Sequence, residues 1–333
     1  MAEGWRPDVL GAGFEQRTLP LGTDAEGEVV ATLVRHLPRG LRRTGALRGV
    51  DVLYVHGWSD YFFQRRIARF WADRGARFFA LDLRKYGRSL RPGQTHGFVS
   101  DLAAYDEDIA AALGAMGDRR GRRLVLMGHS TGGLTLSLWA ARHPGEAAAL
   151  VLNAPWLEFQ LGAAGRAAIS AAIDLGARFR PRDVVPQVDL GFYARAQLAA
   201  ADPDDPMEPD PLWRPTPSPP VLTAWLDAVL AGHAEVARGL RIDAPVCVLL
   251  SARSVAPTRW SEELTRADTV LAVDGVARAA LKLGPSVSVE RIDGALHDVF
   301  LSRREARDEA YARLDRWVGG YVSRPSRRGP ARP

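Results

Sequence analysis

The chain of 333 residues reads as an α/β protein: a mostly parallel, doubly wound sheet with an N-terminal antiparallel edge hairpin and an inserted, mainly helical cap. Three observations predict this. Short apolar runs at 51–55, 77–81, 124–127, 149–152, 246–250 and 287–292 alternate with stretches of helical periodicity, the pattern of strands buried on both faces. Residues 15–21 and 28–37 alternate in strand fashion about a turn at 23–27, which makes a hairpin. The βα alternation breaks off after residue 155 and resumes at Pro245.

The elements follow in order. After the hairpin and a polar connection, the strand at 51–55 runs into His56-Gly57-Trp58-Ser59-Asp60, and residues 63–75 place Ile67, Phe70 and Trp71 on one helical face. The strand at 77–81 ends at Asp82, read as a structural turn carboxylate. Ser100 is the expected N-cap of a helix through Met116, with Leu102, Tyr105, Ile109 and Leu113 on its apolar face. Four apolar residues, 124–127, lead into Gly128-His129-Ser130-Thr131-Gly132-Gly133 and a helix to residue 142, followed by a strand at 149–152. The region 156–242 contains an Ala-rich helix at 163–178, a loop at 201–220 with eight prolines, and a helix near 224–240. It reads as a cap inserted into a core made of 15–155 and 243–322. The sheet then resumes at 246–250, with a long loop, a helix at 273–283, a strand at 287–292 and a last helix at 304–322. Residues 323–333 form a basic tail, expected to be disordered.

Composition narrows the function classes. The chain is 47% hydrophobic and 25% charged, ordinary for a globular protein. The net charge is +5, but the last ten residues carry four arginines, so the body is near neutral and nucleic-acid binding is not expected. No run approaches the roughly 18 apolar residues of a membrane span. One cysteine, Cys247 in an apolar run, excludes an intramolecular disulfide and reads as a buried, inert thiol. With no apolar leader at the N-terminus, the expected location is cytoplasmic.

Gly128-His-Ser-Thr-Gly132 between a strand and a helix has the form of a nucleophile elbow, with Ser130 at its apex. A serine hydroxyl is a poor nucleophile near neutral pH and needs a base. Of the seven histidines, His297 alone lies in a loop directly after the last strand, where a parallel sheet opens on the same edge as the elbow. The imidazole in turn needs a carboxylate. Asp243 lies at the wrong end of its strand, and Asp293 and Asp298 are too close in sequence to reach the far ring nitrogen. Asp268, in the loop after strand 246–250, is the first choice; Asp274, which can cap the following helix, and Glu158, after strand 149–152, remain open. An acyl-transfer site also needs oxyanion donors. The backbone N–H groups of Thr131 and Trp58 are the candidates, with His56, Gly57, Tyr61, His129 and Trp156 as candidate pocket residues. Phe62 reads equally well as core.

His56-Gly57, Asp82-x4-Gly87-x-Ser89, Gly128-His-Ser-Thr-Gly-Gly133 and Leu296-His297-Asp298 together resemble the serine-nucleophile α/β-hydrolases, similar to the monoacylglycerol lipase, lysophospholipase and serine-aminopeptidase-like group. The resemblance spans roughly 15–155 and 243–320. It implies the α/β-hydrolase fold, triad roles for Ser130, Asp268 and His297, oxyanion roles for Trp58 and Thr131, and no metal or organic cofactor. One departure concerns the acid: in that group it follows its strand within a few residues, whereas Asp268 comes after an apparent insertion. The expected function is cleavage of a small-molecule ester or lipid substrate. A peptidase, amidase, thioesterase or acyltransferase would use the same residues, and a peptidase would draw on the cap acids Asp202, Asp204, Asp205, Glu208 and Asp210 for a substrate amine. These acids read more simply as a solvated loop. A non-catalytic binding protein of this fold is the alternative of another class.

Overall fold

The computed structural model describes residues 4–186, 189–204 and 209–323. The basic tail from Arg324 onward, Asp205 and Glu208 lie outside the described residues. Among the described residues, nine strands form one sheet: β1 (Arg6–Pro7), β2 (Phe14–Asp24), β3 (Gly27–His36), β4 (Val50–Val55), β5 (Arg77–Asp82), β6 (Arg123–His129), β7 (Ala149–Asn153), β8 (Val246–Ser251) and β9 (Val287–Ile292). Their spatial order is β1-β2-β3-β5-β4-β6-β7-β8-β9. The hairpin β2–β3 and its pairing with β5 are antiparallel, and β5-β4-β6-β7-β8-β9 is parallel throughout. The two-residue β1, paired antiparallel to β2, was not legible in the sequence.

The helices are α1 (Arg65–Asp73), α2 (Tyr105–Ala115), α3 (Thr131–Arg142), α4 (Gly162–Phe179), α5 (Phe192–Ala200), α6 (Thr223–Arg238), α7 (Val273–Ala280) and α8 (Arg304–Tyr321). Side chains on a strand alternate between faces, so β4 sends Val50, Val52 and Tyr54 to one core and Leu53 and Val55 to the other. The first core takes Ile67, Phe70 and Trp71 of α1 and Leu314 and Trp317 of α8. The second takes Ile109 of α2, Leu134 and Leu138 of α3 and Val276 of α7. Burying each such large apolar side chain contributes about 1.5–3 kcal/mol.

The N-cap before α2 is Asp101, whose side chain accepts from the Ala103 N–H, and not Ser100. A short 3-10 turn at Leu102–Ala104 precedes the helix, which moves the cap one residue on. Between β7 and β8 the described residues form α4, α5 and α6 and no strand of the sheet. These helices differ in role. α4 has no buried residue, whereas α6 buries Trp225, Val229 and Val236 in the same core as α2 and α3.

The strand order places the chemistry. From β4 the chain steps to β5 on one side and then to β6 on the other, so the topological switch lies between β4 and β6. Open α/β sheets bind ligands at that crevice, beyond the strand C-termini. Trp58 follows β4 and Ser130 follows β6. At the opposite end of these strands, fully buried Asp51 of β4 receives Arg77 of β5 at 2.6 and 2.7 Å and Arg122, just before β6, at 2.6 Å. Asp51→Asn leaves two half-buried guanidinium groups short of their anion. The expected outcome is a loss of about 2–3 kcal/mol of unfolding free energy, read as a lower urea midpoint at unchanged m; an unaltered midpoint would show the cluster to be idle.

Candidate active site

The elbow is forced by close packing. Ser130 has φ 52° and ψ −118°, a region that side-chain-bearing residues rarely occupy. A Cβ on Gly132 would stand 2.3 Å from the His56 carbonyl oxygen, and one on Gly128 would stand 2.7 Å from that of Gly132. Only glycine lets β6, the turn and α3 approach so closely to the β4 loop. The backbone of Ser130 is tied down as well: its N–H donates to the Asn153 carbonyl at 3.0 Å, and its carbonyl accepts from Gly133 and Trp156, each at 3.0 Å. α3 begins at Thr131, so the first N–H groups of the helix have no partner within it and their dipole points toward the serine hydroxyl.

His297 Nε2 lies 3.1 Å from Ser130 Oγ, and its Nδ1 lies 2.9 Å from Asp268 Oδ2. A carboxylate only accepts, so Nδ1 carries the proton and Nε2 is left to accept from the serine hydroxyl. Asp268 is fully buried, and its Oδ1 accepts from the N–H groups of Val270 and Leu271 at 2.7 and 2.8 Å. The detour in sequence closes in space. Asp268 forms a parallel bridge with Ser254, donates to the Arg253 carbonyl and accepts from the Val255 N–H. Residues 255–267 therefore loop out and return, leaving Asp268 beside the chain just past β8.

Ser130 opens into a cavity of about 400 Å³. The core contributes Gly57, Trp58, Ser59, Asp60, His129, Thr131 and His297 to its wall, and the segment between β7 and β8 contributes Trp156, Phe192, Tyr193, Arg214, Val221 and Trp225. The Trp58 and Trp225 rings pack at 4.0 Å between centroids. Gly57 lies hard against Ser130: a Cβ there would be 3.0 Å from Ser130 Cβ.

A match to the family model described as serine aminopeptidase, S33 runs over residues 48–304. The chain belongs to that family, Hydrolase_4. It is 31% identical over 163 residues to a monoacylglycerol lipase of Mycolicibacterium smegmatis, an alignment that covers 48% of this chain and only 56% of the lipase. Among solved structures it is similar to Paleococcus ferrophilus monoacylglycerol lipase, with TM-score 0.60, 19% identity, and 82% of this chain and 95% of that one covered. A soluble variant of monoglyceride lipase from Saccharomyces cerevisiae, solved with a substrate analog, aligns with TM-score 0.64, 17% identity and coverage of 92% and 97%. The fold is the α/β-hydrolase fold.

Within this Hydrolase_4 chain the structure separates the candidate residues. Trp58, Gly57, His129, Thr131 and Trp156 line the cavity beside Ser130 and His297. His56 and Tyr61 do not. The His56 ring turns back under the sheet edge, where Nε2 accepts from the Leu83 N–H at 3.1 Å and Nδ1–H donates to the Gly57 carbonyl at 2.7 Å. It ties the end of β4 to the end of β5. The Tyr61 hydroxyl accepts from the Asp210 N–H at 2.7 Å, and its ring packs on Phe63 and Trp213. Phe62 is fully buried in the core with Tyr54 and Phe78.

The carboxylates divide likewise. Asp274 is exposed on α7 and pairs with Arg291 at 2.6 Å, and Glu158 pairs with Arg166 at 3.0 Å. Asp82 accepts from the Phe62 and Arg88 N–H groups and from the Arg88 guanidinium, as a turn carboxylate should. Asp202 is not part of a solvated loop: it is buried and receives Arg304 and Arg307 of α8, each at 2.8 Å. Asp204 also meets Arg304, and Asp210 caps its own turn. Cys247 is fully buried, and burial pushes its thiol up, which leaves it inert.

Three residues escaped the sequence reading. Asn153, at the end of β7, donates to Asp298 Oδ1 at 2.7 Å and accepts from the Val299 N–H at 3.2 Å, so it ties the elbow to the His297 loop. Asp60, two residues beyond Trp58, meets Arg214 at 3.0 Å inside the cavity. Tyr193 touches His297. The only available signals were the position of Asn153 at a strand end and of Asp60 in the Trp58 loop.

Burial lowers the pKa of His129, which donates from Nδ1 to the Asn153 carbonyl, so it stays neutral beside His297. Burial also holds His233 of α6 down to about 4, from an ordinary value of 6.5, where its ring contacts the Trp156 carbonyl at 2.9 Å. The unfolded chain takes up this proton near pH 6.5 and the folded chain only near pH 4. Stability held by neutral His233 is therefore complete above pH 6.5 and is lost as pH falls toward 4. His233→Gln keeps a donor for Trp156 without the titration. Chemical denaturation at pH 7 and pH 4.5 should show a smaller acid-induced loss in the variant, by on the order of 2 kcal/mol; identical losses would dismiss this histidine as a contributor.

Proposed function

We propose that the protein is a serine hydrolase that cleaves a neutral, lipid-like or small acyl ester through an acyl-enzyme on Ser130. The observation that carries this reading is the unbroken chain of contacts from Asp268 through His297 to Ser130 at the floor of a cavity. Residues 15–155 and 243–322 act as the hydrolase core and 156–242 as the cap. The similarity to monoacylglycerol and monoglyceride lipases supports the same direction.

The steps follow from the atoms present. His297 Nε2 takes the Ser130 proton as Oγ attacks the ester carbonyl, and Asp268 stabilises the imidazolium that forms. The N–H groups of Thr131 and Trp58 receive the oxyanion. The imidazolium then protonates the departing alcohol, and water activated by the same nitrogen releases the acid.

The cavity favours an uncharged substrate. The rings of Trp58, Trp156, Phe192, Tyr193 and Trp225 form part of its wall, and the charged groups on it already have partners. Asp60 and Arg214 hold each other, and Asp189 accepts from the Gly191 and Ser218 N–H groups at 2.8 and 2.9 Å. A phosphate would need an unengaged cation, and Arg214 already holds Asp60, so a phospholipid is less well served than a neutral ester.

Turnover of p-nitrophenyl esters and monoacylglycerols, together with labelling by a fluorophosphonate probe, tests the assignment. Ser130→Ala should remove labelling and lower kcat on the order of 10^5-fold or more. Asp268→Asn should lower it about 10^4-fold, while Asp274→Asn and Glu158→Gln stay near wild type. A Ser130→Ala protein that still turns over ester, or loss of activity on removing Asp274 and not Asp268, would displace this mechanism.

A further inference from the structure

Hydrogen bonds at its two nitrogens hold His297 along one line, from Asp268 Oδ2 to Ser130 Oγ. The ring is also tethered through its Cβ, so its exact placement depends on the backbone that carries it and on what packs against its face. His129 does so from the elbow, with centroids 4.9 Å apart. The second neighbour comes from α5: the Tyr193 ring meets His297 edge-on at 5.7 Å and 71°.

Tyr193 also grips the backbone. Its hydroxyl accepts from the Asp298 N–H at 3.2 Å, directly after His297. On the core side, the Asp298 carboxylate is fully buried and accepts from Asn153, Gln64 and the Phe300 N–H. The peptide that follows the base is thus held by the core through a side chain and by α5 through one hydroxyl.

The contact continues. Gln197, 1% exposed, donates from Nε2 to the Tyr193 hydroxyl at 2.7 Å and accepts at Oε1 from Arg214 Nη2 at 2.6 Å. The order is unambiguous, because a guanidinium only donates and must face the amide oxygen. Arg214 Nε lies 3.0 Å from Asp60 Oδ1, two residues beyond Trp58. One chain of polar contacts, Tyr193–Gln197–Arg214–Asp60, therefore joins the His297 loop to the loop that supplies the Trp58 N–H.

We propose that Tyr193 is a positioning residue for His297, and that this chain makes one placement of the cap set the base loop and the Trp58 loop together. The proposal rests on Ser130 and His297 acting as read above. A small misplacement of a base costs rate without weakening substrate binding, so the signature lies in kcat and not in KM.

Tyr193→Phe keeps the ring and removes the hydroxyl; Gln197→Leu breaks the chain at a residue outside the cavity wall. Each is compared with wild type for kcat and KM on p-nitrophenyl butyrate, fluorophosphonate labelling rate, and thermal midpoint. Tyr193→Phe should lower kcat and the labelling rate on the order of 10-fold, with KM within about twofold and a thermal midpoint close to wild type. Gln197→Leu should fall in the same direction, and the double variant should be no slower than the slower single, as expected of links in one chain. Tyr193→Ala, which also removes the ring packed against His297, should fall further. If wild type is labelled at Ser130 and Tyr193→Phe is labelled equally fast, or if its loss appears only in KM, the positioning role is overturned while the serine-hydrolase reading stands. A wild-type protein that resists the probe overturns both.

Discussion

The site depends on how closely β6, the turn after it and α3 pack against the loop leaving β4. At Gly132 the neighbouring carbonyl oxygens of Val55 and His56 lie 2.4 and 2.3 Å from where a Cβ would be, and at Gly133 the Pro155 side chain lies 2.6 Å away. Strand, turn and helix can meet only with Ser130 at positive φ, which turns its side chain toward the crevice between β4 and β6. The strain is held by bonds on every side, from Asn153 to the Ser130 N–H and from Gly133 and Trp156 to its carbonyl. Trp156 opens the segment between β7 and β8 that lines the cavity, so that segment begins on the backbone of Ser130 itself.

Much of this was legible because it is local. Parallel strands buried on both faces announce themselves as short apolar runs, and the elbow compresses its requirements into six consecutive residues. The place of His297 beside Ser130 was legible by elimination, since it alone of the seven histidines lies in a loop directly after the last strand. Asp268 shows where sequence distance misleads: it is seventeen positions past the end of β8 but bridges to Ser254, because residues 255–267 form a closed excursion. The choice between Asp268 and Asp274 needed the fold, since both follow the same strand and only one returns to it.

The residues that escaped share a physical reason. Asn153 and Asp298 are 145 positions apart, and Gln64 and Asp298 are 234 apart. Neither pairing leaves a trace of period 2 or 3.6 in the chain. The region 156–242 is uneven: α4 buries no residue and α5 only Ala196, Gln197 and Ala200, so periodicity carries scant information there, whereas α6 buries much of its length. His56 and Tyr61 were misplaced for the opposite reason. A residue at a strand end can face the crevice or fold back beneath it. In both cases a backbone partner, Leu83 or Asp210, decides the matter, and such a partner cannot be inferred from residue type.

The packing of the segment between β7 and β8 on the sheet has an electrostatic side. Asp60 leaves β4 within the core, and burial raises its carboxyl above the ordinary range, with the nearby charge of Asp298 adding to the effect. Arg214 is the main opposing influence, and it belongs to the segment between β7 and β8. Without that segment in place, Asp60 would lose the guanidinium that opposes its burial, with the Asp298 carboxylate still nearby. Removing one partner of a buried pair costs more than the pair contributes. The segment between β7 and β8 is therefore not an addition to a self-sufficient core: it supplies the guanidinium of Arg214 that faces the buried Asp60 on the loop after β4.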